Sequence, residues 1–254
     1  MTLFFSIWLA IIGAILGSFL ACMGYRIPNK IKTTYPSSFC SNCNKSLKWY
    51  MNVPIISYIL LGGKCAYCKK KIGFIYFLCE VLCSILFVVS YLIHGFDANF
   101  FLAIIITCAL IVTIVSDFKY YYISDRVIVI SSLLVVLVEY IFMKEEILMR
   151  LVSALIIFVI MIGIKILGNA MFKRESLGDG DIKLMVIVGL THGLLNSFVS
   201  LFFGSALAII YVLFTIKKNK DGLVPFGPFI LGGTLLLILT SNIVVPYLTK
   251  LLTF

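Results

Sequence analysis

Long apolar runs dominate this chain and dictate its class. Eight stretches, roughly 3–24, 74–93, 100–116, 127–143, 147–167, 182–195, 198–216 and 226–245, carry few charges. Most approach the ~20 residues that an α-helix needs to cross ~30 Å of hydrocarbon. The sixth is short, which implies a tilted helix or a preceding turn that dips into the protein. A soluble domain could not hide this much apolar surface, since 62% of the 254 residues are hydrophobic and 13% are charged. The runs do not alternate, so an outer-membrane barrel is excluded. Helices satisfy their own backbone polar groups in lipid. The expectation is an all-α polytopic membrane protein of about eight transmembrane helices. The first run lacks a basic segment before it and a small-residue cleavage site, and reads as a retained anchor rather than a signal peptide.

Charge then sets orientation. Segments 26–73, 117–126, 169–183 and 216–221 hold 17 of the 21 Lys and Arg residues. Lys144, Arg150 and Lys250 fall on the other side, and Lys165 lies near the inner end of the fifth helix. By the positive-inside rule the basic loops face the cytosol and both termini lie outside. The net charge of +10 is explained by this asymmetry and by anionic headgroups, so no nucleic-acid partner is expected.

Six of the 11 acids share the basic side: Asp117, Asp125, Glu175, Asp179, Asp181 and Asp221. Asp117 ends the third helix, Asp125 precedes the fourth, and Asp181 opens the sixth. Asp117 and Asp181 are therefore expected at one depth. Two adjacent carboxylates cannot both ionise cheaply, so such a pair can share a proton. One member can take a proton from water while the other polarises a carbonyl. Gly178 and Gly180 permit the turn that aims Asp181 at Asp117. Each acid also has a structural alternative: Asp125 and Asp181 suit helix N-termini, and Asp179 suits a solvated turn. Lys119 and Lys183 follow two of the acids and read as charge balance or headgroup contacts.

Cys40, Cys43, Cys65 and Cys68 form CSNC and CAYC, two CxxC knuckles. Two such knuckles complete a tetrahedral Zn²⁺ site, and a reducing compartment favours thiolates over disulfides. Redox-active or metal-free cysteines are the alternative. The surrounding 26–73 loop has nine basic residues and no acid. It is too small for much of a core, so a metal staple suits it. The chain thus divides into a first helix (1–25), a cytosolic zinc-binding domain (26–73) and a transmembrane core (74–254). Cys79 and Cys83 share a helix face and read as packing residues. His94 and His192 fall near outer loop ends and read as surface residues.

Several of these elements resemble the type IV prepilin peptidases, a family of membrane aspartyl proteases. GSFLACMGYRIP (17–28) is similar to the family's opening motif, with Ala21 where Asn is common. Residues 40–72 look like its zinc domain, with Met51 where Asp is usual. FIYFLCE ends in Glu80, matching the acid that begins the next helix. DFKYYYISD (117–125) resembles the family's Asp-x5-Ile-Pro-Asp element with Ser124 in place of Pro, and GDGDIKL (178–184) fits Gly-x-Gly-Asp-x-Lys.

The resemblance implies that Asp117 and Asp181 are catalytic, with Asp125, Gly178, Gly180 and Lys183 supporting them. It implies type IV prepilin or pseudopilin substrates in a bacterial cytoplasmic (inner) membrane. There the basic leader is cut on the cytosolic side before an apolar helix. Asp125, Asp179 and Glu175 are the candidates to hold the leader. Many members also methylate the new N-terminus with S-adenosylmethionine, an activity associated with the cysteine-bearing region. Arg26 and Glu80 are candidate substrate or cofactor contacts, with headgroup anchoring and a helix N-terminal charge as their alternatives. The two rival functions are a Gly-x-Gly-Asp protease of other substrates and a zinc-stabilised transporter or scaffold. The PFGPFILGG stretch (225–233) is expected to bend into the last helix near the acids.

Overall fold

The computed structural model describes residues 1–33, 35, 37–173, 175–215 and 224–252, with side chains described to residue 246. Arg174, Lys217, Lys218, Lys220 and Asp221, all expected on the basic side, lie outside the described residues, as does the Lys250 side chain. Among the described residues nine α-helices follow in order: α1 (Thr2–Arg26), α2 (Ile56–Leu60), α3 (Phe74–His94), α4 (Ala98–Tyr120), α5 (Asp125–Phe142), α6 (Ile147–Phe172), α7 (Asp179–Thr215), α8 (Gly227–Leu239) and α9 (Ser241–Leu252). Among the described residues there is no strand. Two isolated bridges, Phe39 with Ser46 and Lys64 with Lys71, lie in the cysteine loop. Helices α1, α3, α4, α6 and α7 are each long and apolar enough to cross a membrane, and α8 is a shorter apolar helix. The chain is a multi-pass membrane protein.

Among the described residues the apolar stretches are helical, but the sixth and seventh belong to one 37-residue helix broken at Gly193, and the eighth is divided at Thr240 between α8 and α9. Gly193 has φ 73 and ψ −177, a backbone state that side chains disfavour. The break frees carbonyls that must find other donors. Arg150 donates to Thr191 O at 2.6 Å, and Ser197 donates to Gly193 O at 2.5 Å. Buried Glu139 lies 3.9 Å from Arg150, which supplies its countercharge. The short sixth segment is therefore the first arm of α7.

Close approach between helices comes from small residues. A methyl at Gly13 or Gly17 would strike α3 near Cys83, and one at Gly24 would meet Val112 O at 2.6 Å. Cys79 and Cys83 are fully buried in that seam, as packing residues. Helices α4 and α8 are the most enclosed. Ala103, Ile106 and Ile111 of α4 and Ile230, Leu231, Leu237 and Ile238 of α8 are sealed from solvent. The outward faces, such as Leu133, Leu155 and Phe202, are exposed apolar surface suited to lipid.

His94 and His192 are not surface residues. The His94 side chain is 1% exposed. Each ring donates Nε2–H to an α8 carbonyl, His94 to Ile238 O and His192 to Thr234 O, both at 3.1 Å. Each imidazole thus meets an acceptor inside the protein, as an enclosed polar ring requires.

Candidate functional site

Three helix ends meet on the side of the cysteine loop. Asp117 sits in the last turn of α4, 5% exposed. That helix ends at Tyr121, whose left-handed backbone (φ 49) returns its N–H to Asp117 O. The chain then re-enters as α5. Asp181 sits in the first turn of α7, which starts at Asp179, so Gly180 is already helical, and neither Gly178 nor Gly180 adopts the positive φ that a glycine turn would use. Gly227 opens α8, and its N–H donates to Asp117 Oδ2 at 3.1 Å.

Ile123 packs between these ends. A methyl on Gly180 would lie 2.8 Å from Ile123 Cβ, and one on Gly227 would lie 2.8 Å from Ile123 Cδ1. Both glycines are thus required by closeness. Gly180, next to Asp181, and Gly227, whose N–H holds Asp117, thus pack on the same side chain, which brings the two acids, 64 residues apart in sequence, to one group of helix ends. Asp181 accepts from the Gly178 N–H, while its Oδ1 is buried without a hydrogen-bond partner. A buried acceptor left open costs free energy until a proton or polar ligand meets it. Two carboxylates so placed can hold one proton between them and orient a water against a carbonyl.

The other predicted acids stand around this pair. Asp125, exposed in the first turn of α5, takes a 2.6 Å bond from Lys183 rather than capping its helix. Exposed Asp179 pairs with Lys165 of α6. Lys183 thus supplies charge balance, and Lys119 lies over the Tyr25 and Tyr120 rings at 4.9 and 5.3 Å. Gly227, Ile123 and Lys165 were not singled out from sequence. Of these only Gly227 had a signal, in the PFGP entry to α8.

The four predicted cysteines come together, their Sγ atoms all within 4.8 Å of one another. Each knuckle is built alike: Cys40 O accepts from Asn44 N–H, and Cys65 O accepts from Lys69 N–H. Asn44 and Lys69 both have positive φ, at 54 and 58. The Cys40 and Cys68 sulfurs are 3.9 Å apart, close to the ~3.8 Å edge of a tetrahedron with ~2.3 Å Zn–S bonds. The Cys68 backbone N–H, outweighing burial, pulls the Cys65 thiol down to about 6. The Lys45 backbone lowers Cys43, but burial and the neighbouring thiols outweigh it and push it up to about 11. The cluster can hold a metal ion such as zinc.

Arg26 and Glu80 lie elsewhere, on a cavity of about 750 Å³ between α1, the cysteine loop and α3. Arg26 is 4% exposed and is no headgroup anchor. Its guanidinium donates to Lys32 O, Thr33 O and Ser37 O, tying the loop to α1. Glu80 does not begin its helix either, because α3 starts at Phe74. It accepts from the Ile55 N–H at 2.7 Å and from the Ser18 hydroxyl.

Two family models match the chain. The Bacterial Peptidase A24 N-terminal domain covers residues 11–94, and the Type IV leader peptidase family covers residues 104–213. Among curated proteins, the chain is 27% identical to a prepilin leader peptidase/N-methyltransferase of Bacillus subtilis (strain 168), over 96% of this chain and 97% of that protein. It is 32% identical to a protein of the same name from Vibrio cholerae, over 87% of this chain and 91% of the relative. A type 4 prepilin-like proteins leader peptide-processing enzyme of Escherichia coli O78:H11 is 26% identical, over 87% and 89%. No solved structure matches the chain.

Proposed function

The chain belongs to the type IV leader peptidase family, and from that premise we propose that it is an aspartic endopeptidase of the bacterial cytoplasmic membrane. Its substrates are prepilins or pseudopilins, and it cuts between a basic leader and the apolar helix that follows. The supporting observation is the convergence of Asp117 and Asp181 from separate helices, with Asp181 Oδ1 buried and unpartnered.

In this reading the ionised acid takes a proton from water, and the hydroxide attacks the scissile carbonyl. The protonated acid stabilises the developing oxyanion by hydrogen bonding. Collapse of the tetrahedral intermediate breaks the C–N bond, and a proton passes to the leaving amine. The Gly227 N–H holds Asp117 in place throughout. The site faces the cytosol, where the substrate helix leaves the bilayer, and the exposed acids Asp125 and Asp179 receive the basic leader. Cys40, Cys43, Cys65 and Cys68 would hold zinc, which would cross-link the small loop.

The names of the relatives support a second activity, transfer of a methyl group from S-adenosylmethionine to the freed amine. A mature product heavier by one methyl group, by mass spectrometry, would establish it. The peptidase is tested with purified protein in nanodiscs and a synthetic leader–helix peptide. Asp117→Asn and Asp181→Asn each abolish cleavage while the protein stays folded. Persisting cleavage by either variant refutes the assignment.

A further inference from the structure

The cysteine loop carries an apolar run, VPIISYILLGG (53–63), that ends at Lys64. A run of this length is too short to cross a bilayer and is typical of a re-entrant or interfacial segment. Its helix, α2, has two faces. Ser57, Tyr58 and Leu61 line the cavity between α1, the loop and α3. Ile56, Ile59 and Leu60 lie outside it and are 57%, 63% and 80% exposed. Positions i, i+3 and i+4 share one side of a helix, so these three side chains form one apolar strip.

The depth of α2 decides what covers this strip. Glu80 accepts from the Ile55 N–H at 2.7 Å and from the Ser18 hydroxyl. Ser18 lies eight residues before the end of α1, and Glu80 lies six residues after the start of α3. At ~1.5 Å per residue, Ile55 therefore sits about 9–12 Å inside both helix ends. Tyr58 stacks on Phe77 of α3 with ring centroids 4.8 Å apart. Residues 18–25 and 74–79 carry no charge, and Phe19 and Leu78 among them are 53% and 45% exposed. Helix surface of this kind faces acyl chains, and α2 stands beside it. The backbone suits the same place, because hydrocarbon offers an N–H no partner. Pro54 has no N–H, and the Ile55 N–H is taken by Glu80. Gly62 and Gly63, at φ 59 and 66, then turn the chain back and donate to Ile59 O and Tyr58 O.

We infer that residues 53–63 enter the leaflet on this side of the membrane as a re-entrant segment, with Ile56, Ile59 and Leu60 against the acyl chains. The cysteine loop is thus held down at a third point besides its two ends. Lys48 and Lys64 flank the segment, and the nine basic residues of 26–73, with no acid among them, complement anionic headgroups. Exposed Trp49 and Tyr50 lead into it, and residues of this type favour the membrane–water boundary. A soluble protein partner would find the strip below the level of the headgroups, so lipid is its occupant.

The test uses the full chain in nanodiscs of phosphatidylcholine and phosphatidylglycerol. Trp8→Phe with Trp49→Phe removes both tryptophans, and Ile59→Trp, or Leu60→Trp in a second variant, then puts a single indole on the strip. Lipid brominated on its acyl chains removes most of the emission, and iodide in the water removes little of it. On wild type, a lipid with a diazirine in its acyl chain labels the peptide that contains residues 56–60. Three results each overturn the inference. Quenching by iodide as strong as that by brominated lipid puts the strip in water, where a soluble partner could reach it. Quenching by neither seals it inside the protein. Absence of label from 56–60 while α1 is labelled removes the segment from the acyl chains. All three readouts report position rather than cleavage, so they stand apart from the peptidase reading.

Discussion

Replacing Gly180 by alanine tests how closely the paired acids are held. The added methyl would lie 2.8 Å from Ile123 Cβ, 3.1 Å from Cδ1 and 3.3 Å from Cγ1. Carbon atoms settle at ~3.5–4.0 Å, so the first contact must open by about 0.7 Å. No rotamer change moves a Cβ. The connection between α4 and α5 must therefore retreat from α7, and it joins directly to the turn that carries Asp117. Overpacking of this kind costs about 1–3 kcal/mol. A displacement of ~1 Å at reacting groups can cost about a hundredfold, so Gly180→Ala lowers kcat by about tenfold or more and the melting temperature by a few degrees.

Gly227→Ala provides the contrast. Its methyl meets Ile123 Cδ1, the mobile tip of the side chain, at 2.8 Å, and also Thr113 Cγ2 at 3.0 Å and Asp117 Oδ2 at 3.1 Å, two contacts that remain when Ile123 is shortened. Ile123→Ala removes that tip but retains Cβ, so it restores part of the activity of Gly227→Ala and little of that of Gly180→Ala. A double-mutant cycle on peptide cleavage and on thermal unfolding in nanodiscs reads both couplings. Equal rescue of the two glycine variants, or a fully active and stable Gly180→Ala, would show that Ile123 does not set the spacing of the acids.

Further outcomes follow from the loop, the far face and the flanking charges. Cys65 is the one buried residue among residues 38–72, so a metal held by the four cysteines would take the place of a core. Chelation, or Cys65→Ser, makes this loop protease-sensitive, and metal analysis of the intact protein returns one zinc per chain. Arg150→Met strands Glu139, which is 2% exposed, and destabilises by about 3–5 kcal/mol; adding Glu139→Gln recovers part of that in thermal unfolding. Asp125→Lys and Asp179→Lys each raise KM for a basic leader and lower it for an acidic one. Unchanged leader preference in both would remove these acids from substrate recognition.

The sequence made the helices and the cysteine site legible because both are local patterns: length of apolar run and CxxC spacing. It made the acid pair legible through topology, since charge asymmetry puts the ends of α4 and α7 on one side. Packing faces were harder to read. In lipid a helix is apolar all round, so periodicity does not reveal which side of α4 is enclosed and which side of α1 is exposed. Small residues carry that information instead, as Gly13 and Gly17 do against α3. The inward histidines look like surface residues in the sequence because no local pattern records that α8 carbonyls come within reach of their rings. The alternative of Arg26 as a headgroup anchor fails for a related reason: its partners are loop carbonyls rather than lipid. The link from Lys165 to Asp179 depends on the antiparallel return of α6 into α7.

The acids sit at helix ends because the surrounding solvent is lipid. A carboxylate at the bilayer centre costs about 2.5–3.5 kcal/mol even on the most lenient scales. Here three ends converge, and two of them, those of α7 and α8, are N-termini whose unpaired N–H groups favour an anion. The Gly227 N–H already meets Asp117. A pair that holds one proton carries one negative charge, which two such termini can offset without a basic side chain. Among the described residues, no Lys or Arg is ion-paired with either acid; the flanking lysines are tied to Asp125 and Asp179. A lysine against the pair would favour two full anions and remove the shared proton that carbonyl activation needs. Positive charge is therefore held one shell away, where it balances the exposed acids and leaves the buried ones free to exchange a proton with water.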